Sequence, residues 1–549
     1  MATPATATGT SAATETARDY EVVIIGAGVA GIYQIKRFKD MGVKATVLEA
    51  YDDLGGTWYN NRYPGARFDS ESYTYAYSFS RELLDEWHWK ERFSPQPETL
   101  KYLNLVADKF GLREHMQFGC RVKSLVFDDD TDTWAITLED GRKITTHFVV
   151  TAVGVLSIPT MPKIEGTETF KGISFHPFHW PHDPPDLTGK RVGVVGTGAT
   201  AIQFIPEIAK VAGELKVFQR RPNWAAPLNN SEISEQEMDD IRARYDEIFQ
   251  ACAESPGGFE HIPDRRGFYE VTSEERRELW DRLYDEPGFG IWLQNFVEIF
   301  TEEEANAEFS EYIAERIRQR IDDPVLAEKL IPKDHGFGIQ RVPLESGYFE
   351  AYNQDNVELV DCSETPIKRV TPTGIETSDN AYDLDVIIYS TGFDSFTGAF
   401  DQIDIRGRQG ASLKDKWKDG PITYLGILVK DMPNFVMLSG PQIAASNFPR
   451  GAELAVDWAT DFLSYIWEHG YDHFDVDENA EQQWHQHVID MYQGMLLRKA
   501  QSWITGYNSN VEGHEYGKTR YNIYNGGGPK YAKTLAAVAD DDYRGVRFS

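Results

Sequence analysis

Cysteine is scarce in this 549-residue chain: Cys120, Cys252 and Cys362 lie far apart, with no C-x-x-C pair. That excludes a local redox dithiol and fits a reducing compartment, so the cytoplasm is the expected location. Long apolar runs are also missing, and none approaches the roughly 20 residues that span a bilayer. Positive charge is in short supply, with 55 Lys+Arg against 87 Asp+Glu and a net charge of −32. Nucleic acid and an anionic membrane surface are therefore not expected partners. Any anionic cofactor must be held by locally placed Arg or Lys and by helix N-termini. Residues 1–18 carry almost no large apolar side chains. They lack both the apolar core of a secretory signal and the repeated arginines of a transit peptide, so a disordered leader is expected there.

What is present is a chain too long for one core, with length for two or three domains and an ordinary soluble composition, 41% hydrophobic and 26% charged. The stretch "YEVVIIGAGVAGIYQIKRF" runs an apolar strand into Gly26, Gly28 and Gly31 and then into a helical pattern. The first glycine permits the tight turn, the second lets a pyrophosphate approach the backbone, and the third lets helix and strand pack closely. The helix N-terminus supplies N–H donors to the phosphates. The next strand, "KATVLEA", reaches Glu49, 23 residues after Gly26, placed to accept from ribose hydroxyls.

A second copy, "GKRVGVVGTGATAIQFIPEIA", offers Gly196, Thr197, Gly198, Thr200 and Ala201, with alanine in place of the third glycine. Its following strand ends on Gln219-Arg220-Arg221 rather than on an acid. A carboxylate there would repel a 2′-phosphate, whereas arginine pairs with it bidentately. Glu49 thus suits FAD and Arg220/Arg221 suit NADP; a solvated surface pair is the plainer alternative for the two arginines. The Gly55-Gly56 doublet in "LGGTWYNNRYPGARFD" lets backbone approach a flavin.

The expected fold is α/β, with two Rossmann-like dinucleotide-binding domains and a helical insertion in the second. The first part of the FAD domain is expected over residues 19–157 and its second part over 385–549. The NADP domain is expected over 158–230 and 335–384, interrupted by the helical insertion at 231–334. Ser234 and Glu237 offer a capping box within that insertion, and no catalytic constellation is visible in it. In the Gly/Asn/Tyr-rich tail, Trp503 either packs or offers a plane and an N–H donor to a ligand.

Together these residues resemble the type I Baeyer–Villiger monooxygenases, including members that oxidise cyclohexanone and cyclopentadecanone. The stretch "FKGISFHPFHWP" matches the family fingerprint through Phe170, Gly172, His176, Trp180 and Pro181. A second pattern matches through Gly56, Trp58, Tyr63, Pro64, Gly65 and Asp69. The resemblance covers roughly residues 20–540 and implies an enzyme that inserts oxygen beside a ketone carbonyl, through NADPH-reduced FAD and a C4a-peroxyflavin, with retained NADP⁺. A small-molecule ketone and O₂ are the implied partners, no metal is implied, and a monomer or weak homo-oligomer is expected.

Residue by residue, the resemblance implies that Arg341 stabilises the anionic oxygens and that Asp69 holds Arg341 near the flavin. Thr57, Trp58 and Tyr75 would line the flavin, Thr200 and Gln203 would face NADP, and Trp503 would contact the nicotinamide nucleotide. The fingerprint would couple cofactor binding to domain movement, or simply staple the domains. One departure is Gln340, where the family commonly has a lysine for the 2′-phosphate; Arg220 and Arg221 must then discriminate. The rival families are flavin-containing N/S-monooxygenases, which generally lack the Trp180-Pro181 ending and a counterpart of Arg341. A non-catalytic NADPH-sensing flavoprotein is a remoter reading, and a disulfide reductase is disfavoured by the absence of a cysteine pair. The tail "SWITGYNSNVEG" is most like members that accept cyclic and bulky ketones.

Overall fold

Val22, Val23 and Ile24 are fully sealed from solvent, as a central parallel strand covered on both faces must be. The computed structural model describes residues 18–515 and 517–549; the leader expected over 1–18 lies outside them apart from Arg18. Tyr20–Ile25 pairs in parallel with Ala45–Leu48 on one side and Lys143–Thr151 on the other. The first sheet continues through the antiparallel meander Val122–Asp128, Thr133–Leu138 and Lys143–Thr151. Two later strands complete it, Asp404–Arg406 beside Val122–Asp128 and Phe435–Met437 beside Lys143–Thr151. The C-terminal helix Phe448–His469 packs along Val29–Asp40, where Tyr33 donates to Asp457 at 2.7 Å and Gln34 to Thr460 at 3.0 Å.

The second sheet is wholly parallel, in the order Val357–Asp361, Glu214–Gln219, Arg191–Val195, Val386–Tyr389, Ile173–Phe175. Here the expected boundary at 385 is corrected. Val386–Tyr389 belongs to this second sheet, not to the C-terminal part of the first domain. A buried apolar strand before a glycine turn reads the same for either sheet, and only its parallel neighbours decide. The fingerprint stretch likewise supplies an edge strand, Ile173–Phe175, rather than a free linker. Gly172 is needed there, because an added Cβ would sit 2.4 Å from the Asp385 carbonyl oxygen.

Between residues 231 and 334 the chain is helical, with a capping box at Ser234 and Glu237 opening Glu235–Ala243. Trp280, Phe309 and Tyr312 of this region share one core with Ile202 and Phe204 of the second sheet's first helix. That continuity buries the apolar stripe of otherwise acidic helices.

The two sheets are joined by two crossings that run side by side. Thr160 N–H donates to Gly392 O at 2.9 Å, Asp394 N–H to Ile158 O at 2.8 Å, and Phe396 N–H to Val155 O at 2.9 Å. No helix among the described residues is long and apolar enough to cross a membrane.

The first nucleotide turn has no room for a side chain at its third glycine: a Cβ on Gly31 would lie 1.9 Å from Gly26 O. Gly31→Ala is expected to cost about 1–3 kcal/mol by overpacking and to lower FAD retention, read by thermal unfolding and by flavin absorbance after desalting. Unchanged values for both would show that this turn opens without cost.

Candidate functional site

A single cavity of about 1020 Å³ runs from the first glycine turn to the face of the second domain. At one end lie Gly26, Gly28 and Glu49, followed by Gly56, Thr57, Trp58 and Tyr75; at the other lie Asp69, Thr200, Gln203, Arg341 and Trp503. The volume is at the upper end of ordinary small-molecule pockets.

Glu49 is almost sealed and closes the glycine turn, its carboxylate accepting from Ala27 N–H at 2.7 Å and Tyr51 N–H at 3.0 Å. Burial pushes its carboxyl above the ordinary range, and those backbone donors oppose the shift. Gly28 and Gly56 face one another so closely that a Cβ on Gly56 would lie 3.0 Å from Gly28 Cα. Bare backbone at this narrowing, a helix N-terminus at Val29 and a carboxylate at Glu49 fit the pyrophosphate and ribose of FAD. Beyond it, Trp58 Nε1–H donates to Tyr75 Oη at 2.9 Å, and Phe68 stacks on Tyr75 with ring centres 4.5 Å apart. These rings make a stiff aromatic floor where an isoalloxazine is expected.

Asp69 is nine-tenths buried or better, and Arg341 Nη2 donates to its Oδ2 at 2.5 Å. Burial raises the Asp69 carboxyl, while the Arg341 charge and Leu344 N–H pull it back. A carboxylate sealed this way needs its cation, and the guanidinium in turn cannot swing away without stranding it. Arg341 keeps about a third of its side chain accessible and lines the cavity, so a fixed positive charge faces the space beside the aromatic floor.

The second glycine turn stands at the mouth rather than within the cavity. Gly198 caps Ala199–Ala209, and an added Cβ there would meet nothing within 4 Å, leaving open room for a phosphate. Gly196 holds φ +101°, and Thr197 Oγ1 donates to Arg221 O at 3.0 Å, bringing the turn and the arginines together. Ala201, in the first turn of this helix, is fully buried.

Several site residues make contacts that the sequence did not indicate. Gln203, expected to face NADP, turns to the first domain: Tyr63 Oη donates to its Oε1 at 2.9 Å, and its Nε2 donates to Arg67 O at 3.0 Å. It does so because Gly65, at φ +79°, brings that turn against the helix; a Cβ there would lie 2.6 Å from Gln203 O. Arg220 reaches Ser509 Oγ at 3.0 Å and Arg221 reaches Gln501 Oε1 at 3.0 Å, so both meet the C-terminal loop instead of standing free in solvent. Gln340 reaches that loop as well, through Gln501 O at 3.4 Å. Trp503 sits on the loop, stacked on Phe396 at 5.9 Å, with its indole on the cavity wall.

The fingerprint residues do not touch the cavity. His176 donates from Nε2 to Gly392 O at 3.1 Å and accepts from Phe178 N–H at Nδ1, which fixes its tautomer. Trp180 lies edge-on against Phe175 at 4.9 Å and beside Phe204. Phe170 packs in the small core beneath Leu384, and Pro181 follows Trp180 at the domain surface. His176 thus ties the fingerprint to the second crossing, whose next residue, Phe393, lines the cavity.

Sequence reasoning missed one whole wall. Gly257, Phe259, Phe289, Trp292 and Leu293, all from the helical insertion, line the cavity beside Arg341. The available signal was "GFGIWL", a glycine-flanked apolar run among acidic helices. No cluster of three metal-binding side chains is present among the described residues.

The first dinucleotide turn, the helix start of the second and the buried Asp69–Arg341 pair all line one cavity, an arrangement suited to a flavoprotein that uses two nucleotides. Comparison with known proteins gives the family. A model described as flavin-binding monooxygenase-like matches residues 19–234. The 2-oxo-Δ³-4,5,5-trimethylcyclopentenylacetyl-CoA monooxygenase of Pseudomonas putida is 43% identical over 96% of this chain and 98% of its own. Cyclohexanone 1,2-monooxygenase of an Acinetobacter species is 35% identical over 96% and 95%. A crystal structure of OTEMO with FAD and NADP superposes with a TM-score of 0.93 at 42% identity, covering 97% of this chain and 100% of that one. The chain belongs to the type I Baeyer–Villiger monooxygenases. It is an oxidoreductase with FAD and NADP as cofactors, inserting one oxygen atom of O₂ beside a ketone carbonyl to give an ester or lactone.

Burial lowers the His176 pKa from 6.5 to about 4. The unfolded chain takes up a proton near pH 6.5 while the folded state resists until about 4, so the stability His176 contributes is complete above pH 6.5 and is lost as pH falls toward 4. His176→Gln keeps an N–H donor for Gly392 but cannot titrate. Between pH 7 and 5 the wild type should lose more thermal stability than this variant, and parallel losses would remove His176 as the cause.

Proposed function

We propose that the substrates are cyclic and other bulky ketones, and that Arg341 and Asp69 act at the reacting carbonyl. The observation that carries this reading is the 2.5 Å Arg341–Asp69 pair on the cavity lined by the first dinucleotide turn and by Ala199 and Thr200 at the start of the second turn's helix. The wall of Phe259, Phe289, Trp292 and Leu293 beside Arg341 offers an apolar seat for a ring. Relatives named for cyclohexanone and for a trimethylcyclopentenyl ketone support the cyclic class.

In this reading Gly26, Gly28, Gly31, Glu49, Gly56, Thr57, Trp58 and Tyr75 hold FAD. Gly196, Thr197, Gly198, Thr200 and Ala201 hold NADP, with Arg220 and Arg221 on the 2′-phosphate, Gln340 giving little help, and Trp503 closing over the nicotinamide end. Gln203 joins the two domains more than it binds nucleotide. FAD, reduced by NADPH, activates O₂; overall, ketone, O₂, NADPH and H⁺ give ester or lactone, NADP⁺ and water. Arg341 presents its guanidinium to the carbonyl oxygen, which gains negative charge as the carbon is attacked, and it keeps that charge at any working pH. Asp69 fixes the direction of this guanidinium. The apolar wall and Trp503 exclude water from the reacting carbon. The working location is the cytoplasm, and the protein acts as a monomer or weak homo-oligomer.

Removing one such electrostatic group typically costs about 10²–10³ in turnover. Arg341→Ala should lose at least that factor in lactone formation, measured by gas chromatography, while NADPH still bleaches the flavin at near wild-type rate; full lactone yield would take Arg341 out of the chemistry. Arg220→Ala should raise KM for NADPH by roughly 10–100-fold, the worth of one charged hydrogen bond, and leave NADH nearly unaffected. Equal effects on both nucleotides would place the 2′-phosphate elsewhere.

A further inference from the structure

Three consecutive side chains, Asp69, Ser70 and Glu71, each bind a different segment of the cavity wall. Asp69 holds Arg341; Ser70 Oγ donates to Asn447 Oδ1 at 3.1 Å; and Glu71 Oε1 accepts from His261 Nε2 at 3.0 Å. The first partner comes from the second domain, the second from the C-terminal part of the chain, and the third from the helical insertion. Glu71 and His261 are 4% and 9% exposed, so their bond is screened from water.

The insertion's wall converges on this bond. Phe259 is two residues before His261 and meets Phe289 edge-on at 5.2 Å, and Phe289 meets Trp292 at 5.6 Å. Gly288, immediately before Phe289, is moulded to the same carboxylate: a Cβ there would lie 2.8 Å from Glu71 Oε1, at a φ of +83°. At its other end the loop is pinned by Asn447 N–H, which donates to Gly257 O at 2.7 Å. Glu71 therefore touches both strips of chain that carry the wall's aromatic rings, while Asp69, two residues away, fixes the Arg341 guanidinium on the same cavity.

We propose that Glu71 and His261 are positioning residues that set the distance between the Phe259–Phe289 wall and Arg341, and so determine which ketones are accepted. Neither needs to touch the ketone. The bond transmits the placement of the Asp69 turn to the apolar wall, so that charge and ring seat stay in register. This rests on the reading of Arg341 as the group facing the carbonyl. The cost of losing the bond falls on ketone binding, most heavily for large rings that need the whole wall. NADPH binding and flavin reduction, which use the two glycine turns rather than this wall, are unchanged.

The test uses the FAD-loaded, full-length protein with cyclopentanone and cyclopentadecanone as probes. Ketone dissociation constants are read from perturbation of the flavin absorbance, alongside KM, kcat and the ratio of H₂O₂ to NADPH consumed. His261→Ala should weaken cyclopentadecanone binding about tenfold, the scale of one charge-assisted hydrogen bond, with a smaller change for cyclopentanone and more H₂O₂ released. The rate of flavin reduction by NADPH should stay at the wild-type value. His261→Gln, which restores an N–H donor to Glu71, should recover most of the cyclopentadecanone affinity, and Glu71→Gln should weaken it. If Ala and Gln variants both bind the two ketones as wild type does, or if both ketones and NADPH weaken alike, the proposal fails. Should His261→Ala not fold, the Gln pair decides: wild-type ketone preference in Glu71→Gln overturns it. Absence of ketone oxygenation by the wild type would instead overturn the reading of Arg341, which the variants' dissociation constants do not depend on.

Discussion

A carboxylate without access to water must have its charge met by groups held in place: Glu49 meets this with backbone N–H groups, and Asp69 meets it with a cation. Its partner, Arg341, is 272 residues away in sequence and belongs to the other domain. To deliver the guanidinium, the short strand Leu344–Glu345 pairs with Ala226–Pro227, and Leu344 N–H points back at the same carboxylate. Breaking such a pair from one side typically costs about 3–5 kcal/mol. The two domains are thus joined by one charged pair on the cavity wall.

Part of the remaining interdomain contact is backbone hydrogen bonding. Two chain crossings zip together between residues 155–160 and 391–396, and His176 caps them at Gly392. Trp180 anchors the same stretch in the second core. The fingerprint histidine and tryptophan therefore act on the geometry of the crossings, one residue away from a ring that lines the cavity. That placement reconciles their position outside the site with any influence on it: a shift of Gly392 carries Phe393 with it.

Charge distribution explains how so acidic a chain binds two anionic nucleotides. At the first turn the phosphates would meet only backbone N–H groups and a helix N-terminus, and the nearest acid, Glu49, is engaged by Ala27 and Tyr51. At the second, positive charge is confined to Arg220 and Arg221, both directed to the C-terminal loop. The loop that carries Trp503 therefore also meets both arginines.

Much of this was legible in sequence, because its signals are local. A strand, a glycine turn and a helix within about 30 residues dictate their own geometry, so Gly26–Gly31, Glu49 and Gly196–Ala201 could be placed without coordinates. Long-range pairing was not legible. Val386–Tyr389 was assigned to the wrong sheet because a buried strand carries no record of its neighbours, and Gln203 was misdirected because the approach of Gly65 to its helix is a packing outcome. The insertion's contribution was hidden for the same reason: Phe259, Phe289 and Trp292 are ordinary apolar residues until folding sets them opposite Arg341. By itself the sequence determined the two nucleotide turns and the family. Only the tertiary structure decided which wall faces the guanidinium, since that depends on contacts between segments hundreds of residues apart that no local pattern encodes.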